Sequence, residues 1–185
     1  KAEASYIKAL ALNPRFAEAH GNLGITLQQM GRLKEAEASY TRAIALKPGS
    51  VEALNNLGSV LRELGRLEDA ESSYKKAIAL MPSFAEAHNN LGAIFNELGK
   101  LREAEASYLE AIALNPRYAV AHANLGTTLQ DSGRFDEAKV SYSKAIHYKP
   151  DYADAHRRLA MLKRFSSKDE QCAKMQALHV DTNIS

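Results

Sequence analysis

The chain of 185 residues has no tryptophan, a single cysteine and a net charge of only +2 at pH 7. A lone cysteine, Cys172, excludes an internal disulfide. No apolar run approaches the roughly 20 residues that cross a bilayer, so we predict no membrane segment. The composition, 45% hydrophobic and 25% charged, is typical of a soluble helical protein. We favour a cytoplasmic location, although no signal in the sequence fixes the compartment.

Motifs of catalysis and metal binding are also missing. There is no HExxH, no paired CxxC, no phosphate loop and no serine elbow. Histidines recur at His20, His88 and His122, but successive helical hairpins lie roughly 10 Å apart. Zinc needs its ligands about 2 Å from one ion, so these histidines are expected to pack or to cap helices. We predict a protein that is not an enzyme and holds no metal or cofactor.

Proline is scarce, yet its five occurrences are evenly spaced at 34 residues: Pro14, Pro48, Pro82, Pro116 and Pro150. Leucine, glycine, alanine and tyrosine recur with the same period. Self-similarity at this length indicates a solenoid, in which each unit buries its apolar face only against its neighbours. A central catalytic core is therefore not expected.

Each repeat is predicted to be a helical hairpin. From Ala17, small and apolar residues recur three and four positions apart on both sides of Gly31, which suits a left-handed helix end. Pro48 ends the second helix because it has no amide proton. Gly24 lies inside the first helix, where glycine costs roughly 1 kcal/mol relative to alanine. We therefore expect it to admit the second helix at close range, with Tyr40 against it.

These residues resemble the tetratricopeptide repeat (TPR), whose pattern has Leu-Gly, a small alanine, an aromatic residue, another alanine and a closing proline. The resemblance implies an all-α fold, a right-handed superhelical solenoid of antiparallel helix pairs. The sequence departs from it where the family often has tryptophan, because His20 and Leu54 stand there. In the Ala-His-x-Asn-Leu-Gly stretch the repeats are closest in character to those of O-linked N-acetylglucosamine transferase and of bacterial TPR-containing sulfotransferases.

The repeat pattern divides the chain. Residues 1–16 resemble the second helix of a truncated N-terminal repeat, so we expect the chain to begin within a longer array. Residues 153–165 are predicted to form the first helix of a final partial repeat, and 166–185 a C-terminal capping helix or connector. Four full units lie between them, at 17–50, 51–84, 85–118 and 119–152.

The resemblance implies that the first helices line a concave groove, into which the sixth residue of each unit projects. That residue is asparagine in all four full units: Asn22, Asn56, Asn90 and Asn124. Asparagine also precedes this residue in the two middle units, as Asn55 and Asn89. The residue six positions after it is polar in all four units: Gln28, Arg62, Asn96 and Gln130. We predict a groove that is polar, rich in amides and sparsely charged.

Asparagine amides suit an extended peptide, because each amide offers a donor and an acceptor to the peptide backbone. At roughly 10 Å between hairpins and about 3.3 Å per extended residue, each asparagine would meet every third residue of a bound chain. The alternative is that the asparagines are structural and bond to a neighbouring hairpin.

In the fifth unit Arg157 and Arg158 replace the asparagine pair. One interpretation is a basic patch that would suit an acidic partner. The alternative is a charged face that lies in solvent.

The preferred function is a non-enzymatic scaffold that binds an extended protein segment in the asparagine-lined groove. The alternative is the substrate-recruiting array of a larger transferase, either a glycosyltransferase or a sulfotransferase. Nucleic acid is not an expected partner, because the groove has no basic stripe. We also expect self-association through the N-terminal helix, where Tyr6, Ile7 and Leu10 lack a hairpin partner.

Overall fold

The computed structural model describes residues 2–164, which form ten helices and no strand. The predicted all-α architecture is confirmed. The helices are α1 (Ala2–Leu12), α2 (Ala17–Gln29), α3 (Leu33–Leu46), α4 (Val51–Glu63), α5 (Leu67–Leu80), α6 (Ala85–Glu97), α7 (Leu101–Leu114), α8 (Ala119–Asp131), α9 (Phe135–Tyr148) and α10 (153–164). The predicted capping helix at 166–185 lies outside the described residues.

The chain divides after Pro116 into two compact units. The first unit contains α1–α7, and the described part of the second contains α8–α10. Within each unit the turns between consecutive helices are short, so neighbouring helices run antiparallel. None of the helices within residues 2–164 is long and apolar enough to cross a membrane.

Glycine closes the first helix of every hairpin, as the sequence predicts. Gly31, Gly65, Gly99 and Gly133 have φ angles of 73°, 76°, 72° and 77°, in the left-handed region that other residues rarely adopt. The residue after each glycine then donates its backbone N–H back into the helix, as Arg32 does to Leu27 O at 2.9 Å. Three residues therefore suffice to reverse the chain.

The two helices of a hairpin approach closely where glycine faces tyrosine. A Cβ built on Gly24 would lie 2.7 Å from Cε1 of Tyr40, nearer than real side chains come. Tyr40 is fully buried and packs with Leu27, Ala36 and Val60, the last from the following hairpin. The predicted packing role of these glycines is confirmed, and the tyrosine belongs to the core that joins successive hairpins.

Histidine links the closing proline of one repeat to the first helix of the next. Nε2 of His20 lies 3.0 Å from Pro14 O, and the same contact joins His88 to Pro82 O at 2.9 Å. In the fourth repeat His122 is instead buried and stacks on Tyr148 with ring centroids 5.5 Å apart. Both arrangements are the packing and capping contacts that the sequence predicts.

Candidate functional site

Within the first unit, the first helices α2, α4 and α6 lie side by side. Side chains that are 35 residues apart bond across them. Nε2 of Gln28 donates to Glu63 Oε1 at 2.6 Å, and Nε of Arg62 donates to Glu97 Oε1 at 2.6 Å. These bonds place equivalent residues of successive repeats on one surface. We call it the first-helix face, the surface of α2, α4 and α6 that carries Asn22, Asn56 and Asn90.

One part of this face is an internal amide network. Asn55 is 3% exposed; its Nδ2 donates to Glu86 Oε1 at 3.0 Å and its Oδ1 accepts from Asn90 Nδ2 at 3.0 Å. Asn89 is also buried, and its Nδ2 lies 3.3 Å from Asn90 Oδ1. Asn55 thus connects α4 to α6, whereas Asn89 contacts its neighbour Asn90 on the same helix. The ligand-binding role expected of these two residues stays a prediction.

Asn22 and Asn56 have a different setting. They line a cleft of about 230 Å³ between the α2–α3 hairpin and α4, with Glu18 and Lys47 at its edge. Among the described residues neither asparagine side chain has a hydrogen-bond partner, and Asn22 is exposed while Asn56 is half-buried. Apolar groups also line the cleft: Ala17, Ile25, Ala43, Ala53 and the ring of Tyr40. The cleft therefore combines two amides with apolar side chains.

The first-helix face also carries charged groups. Arg62 on this face bonds Glu97, and Lys47, which follows α3, has its Nζ 3.4 Å from Glu18 Oε1. A backbone N–H at the start of α2, together with Lys47, lowers the pKa of Glu18. The carboxylates that line the face come from the second and thirteenth positions of the repeats: Glu18, Glu52, Glu86, Glu63 and Glu97. The recurrence of glutamate every 34 residues was the available signal for the first three.

Gln28 has hydrogen-bond partners within the protein. Its Oε1 accepts from the Tyr40 hydroxyl at 3.2 Å while its Nε2 donates to Glu63. Burial, with a smaller effect of the Glu63 carboxylate, raises the pKa of Tyr40 to about 12. Arg62 is similarly engaged with Glu97, and Asn96 is half-buried on α6.

The remaining predicted residues belong to the second unit. Asn124 and Gln130 are half-buried on α8, and Gln130 Oε1 accepts from the Tyr142 hydroxyl at 3.1 Å. On α10, Arg157 and Arg158 both donate to Asp154, the latter at 2.9 Å from Nε to Oδ2. These two guanidinium groups lower the pKa of Asp154. The predicted basic patch is thus partly neutralised by a carboxylate one turn earlier on the same helix.

Stacked helical hairpins, each closed by a glycine turn and joined by a buried tyrosine, define a helical-repeat protein. Family models described as "Tetratricopeptide repeat" match residues 15–83, 50–117 and 97–162. They cover most of the sequence, and the chain therefore belongs to the tetratricopeptide repeat family. Its members bind peptides or other proteins, which makes this chain a protein-interaction scaffold.

Solved structures agree with this assignment. MamA is 27% identical, with a TM-score of 0.73 over 82% of this chain and 89% of that one. A thermophilic TPR protein of Thermus thermophilus is 27% identical, with a TM-score of 0.73 over 86% and 88%. YrrB, described as a TPR protein with an unusual peptide-binding site, shares the fold at 23% identity and a TM-score of 0.73 over 95% and 90%.

A search of curated proteins found no match. The resemblance of the repeats to those of O-linked N-acetylglucosamine transferase and of sulfotransferases therefore stays a prediction.

Proposed function

We propose that the chain binds an extended segment of another protein along its first-helix face, with Asn22 and Asn56 as the main contacts to the segment's backbone. The observation that carries this proposal is the cleft between α2 and α4, where neither amide has a partner among residues 2–164. Each amide can donate to a backbone carbonyl and accept from a backbone N–H of the same segment. Asn90 would contribute from the neighbouring helix.

The charges of the face favour a segment that is neutral or basic. Glu52 has no partner among the described residues, and Glu63 and Glu86 accept only from neutral amides. A segment rich in aspartate or glutamate would meet these carboxylates without compensation, whereas lysine or arginine would pair with them. Electrostatic complementarity of this kind sets which partners are accepted more than how tightly they bind.

Selection from a library of random peptides, displayed on phage, tests the proposal. We compare the wild-type chain with the double variant Asn22→Ala/Asn56→Ala, which removes both free amides. The expected result is that the wild type enriches peptides with few acidic residues, and that the variant binds those peptides at least tenfold more weakly. Circular dichroism and thermal unfolding verify that the variant folds.

The matched control is Thr41→Ala/Ser72→Ala, which removes two exposed hydroxyl groups from the second helices α3 and α5. This control should bind the same peptides as the wild type. Equal binding by the asparagine variant, or loss of binding by the control, would contradict the proposed site.

A further inference from the structure

The fifth position of the repeat differs between neighbouring units of the first-helix face. It is Gly21 in α2, Asn55 in α4 and Asn89 in α6. The amide of Asn55 bridges two residues of the following first helix, because it donates to Glu86 and accepts from Asn90. Those partners stand 31 and 35 residues further along the chain.

Counterparts of these two partners exist one repeat earlier, but the residue that would bridge them is a glycine, which has no amide side chain. Counting 31 and 35 residues from Gly21 leads to Glu52 and Asn56, the counterparts of Glu86 and Asn90. Neither of these side chains has a partner among the described residues. A Cβ built on Gly21 would meet no neighbouring atom within 4 Å, so the space that Asn55 fills in the next repeat is open here.

The open space is part of the cleft of about 230 Å³, which Gly21, Asn22, Glu52 and Asn56 line together. The lining therefore includes a carboxylate acceptor and an amide donor at the two repeat positions that hold a primary amide between α4 and α6. The apolar part of the lining, which includes Ile25 and Ala53, suits the methylene groups that carry such an amide. Because glycine has no side chain, the internal amide that bridges α4 and α6 has no counterpart between α2 and α4.

We infer that this cleft is a carboxamide-binding site, which receives the side chain of an asparagine or glutamine from the bound segment. The amide N–H₂ of the ligand would donate to Glu52 and its carbonyl would accept from Asn56, as Asn55 does with Glu86 and Asn90. Aspartate or glutamate would bring a second negative charge to Glu52 and is excluded. The inference rests on the proposed function and adds one position of sequence preference to it.

Nuclear magnetic resonance titration of the whole chain tests this site. The probes are alanine pentapeptides, acetylated and N-methylamidated, with asparagine, aspartate or alanine at the centre. The asparagine peptide should shift the side-chain amide signals of Asn22 and Asn56 saturably. Its dissociation constant should be at least tenfold lower than those of the other two peptides. The alanine peptide distinguishes the source of the amide, because it offers only backbone amides.

Two substitutions at one position give the matched comparison. Gly21→Asn rebuilds the internal bridge to Glu52 and Asn56, so it should fold normally and lose the asparagine-specific shifts. Gly21→Ala leaves the amide space empty and should retain them. Equal shifts with the alanine peptide, no saturable shift with any peptide, or undiminished binding by Gly21→Asn would each overturn the inference.

Failure of this inference and of the proposed function can be told apart. If Gly21→Asn still captures the phage-selected peptides while Asn22→Ala/Asn56→Ala does not, the face binds peptide backbone without a carboxamide site. If the asparagine variant also keeps those peptides, the proposed function itself is wrong.

Discussion

At the scale of single residues, glycine has three separate tasks in this chain. Gly65 and its equivalents adopt a positive φ that ends the first helix of a hairpin. Gly58 and its equivalents lie inside that helix and admit a tyrosine ring. Gly21 does neither, since it is helical and has open space around it. A helical glycine without a packing partner costs stability. In the proposed carboxamide site, the space beside Gly21 receives the amide of the ligand.

Alanine substitutions distinguish these tasks. A Cβ on Gly58 would lie 2.7 Å from Cε1 of Tyr74, a ring with 1% exposure that has no room to move. We expect Gly58→Ala to lower the free energy of unfolding by about 1 to 3 kcal/mol through overpacking. Gly21→Ala should raise it by about 0.5 to 1 kcal/mol through helix propensity. Urea denaturation of both variants measures the difference, and effects of equal sign would contradict the assignment.

At the scale of helices, the asparagines differ in their hydrogen bonding, because one connects two helices and another has no side-chain partner among the described residues. Asn55 connects α4 to α6 through Glu86 and Asn90, whereas Asn22 on α2 makes no side-chain hydrogen bond among the described residues. The sequence left two interpretations open, a structural role and ligand binding. We propose that Asn55 is structural, whereas Asn22 and Asn56 are available to a ligand.

Removing the two kinds of asparagine should have unequal effects on stability. Asn55→Ala deletes a buried amide with two partners, so we expect a loss of about 1 to 3 kcal/mol in the free energy of unfolding. Asn22→Ala removes an exposed side chain without partners and should change it by less than about 0.5 kcal/mol. Thermal and urea unfolding measure both. A loss for Asn22→Ala as large as that for Asn55→Ala would show that Asn22 is structural too.

The sequence predicted the hairpins well because proline fixes the backbone and glycine permits a left-handed conformation that other residues rarely adopt. The left-handed turn at Gly31 and the contact of Gly24 with Tyr40 both follow from backbone freedom and side-chain volume, which one repeat already displays. The burial of Asn55 and its hydrogen bonds could not be predicted in the same way. Its burial depends on Glu86, 31 residues away, and only the packed array brings the two together.

At the scale of the whole molecule, the buried tyrosine of each full hairpin makes the free energy of unfolding vary with pH in the alkaline range. Burial raises the pKa of Tyr40 to about 12 and that of Tyr74 to about 12, and it raises those of Tyr108 and Tyr142 in the same direction. The unfolded phenol has a pKa of about 10, so the folded state binds the phenolic proton more tightly. This contribution to stability is complete below about pH 10 and is lost as the pH rises toward 12.

We therefore expect the urea midpoint to hold steady from about pH 8 to 9.5 and to fall steeply above 10. Tyr108→Phe keeps the ring against Gly92 and removes one titrating group, so its midpoint should fall less steeply. Tyrosinate absorbance, recorded in the same titration, should rise together with unfolding for the buried tyrosines. A midpoint that is independent of pH up to 12 would contradict this account.

The apolar surface of α1 gives a prediction about association between copies of the chain. Ile7 is 52% exposed and Leu12 is 89% exposed, while Tyr6 and Leu10 are half-buried. Exposed apolar side chains are stabilised when they are covered, so we expect weak self-association through α1 that grows with protein concentration. Sedimentation velocity or light scattering across a concentration series measures this association.

Ile7→Lys should abolish the association, because a charge at this position cannot be buried without a partner. Leu109→Lys changes a residue of similar exposure, 49%, on α7 and should leave it unaltered. A strict monomer at high concentration, or equal loss in both variants, would exclude α1 as the contact surface.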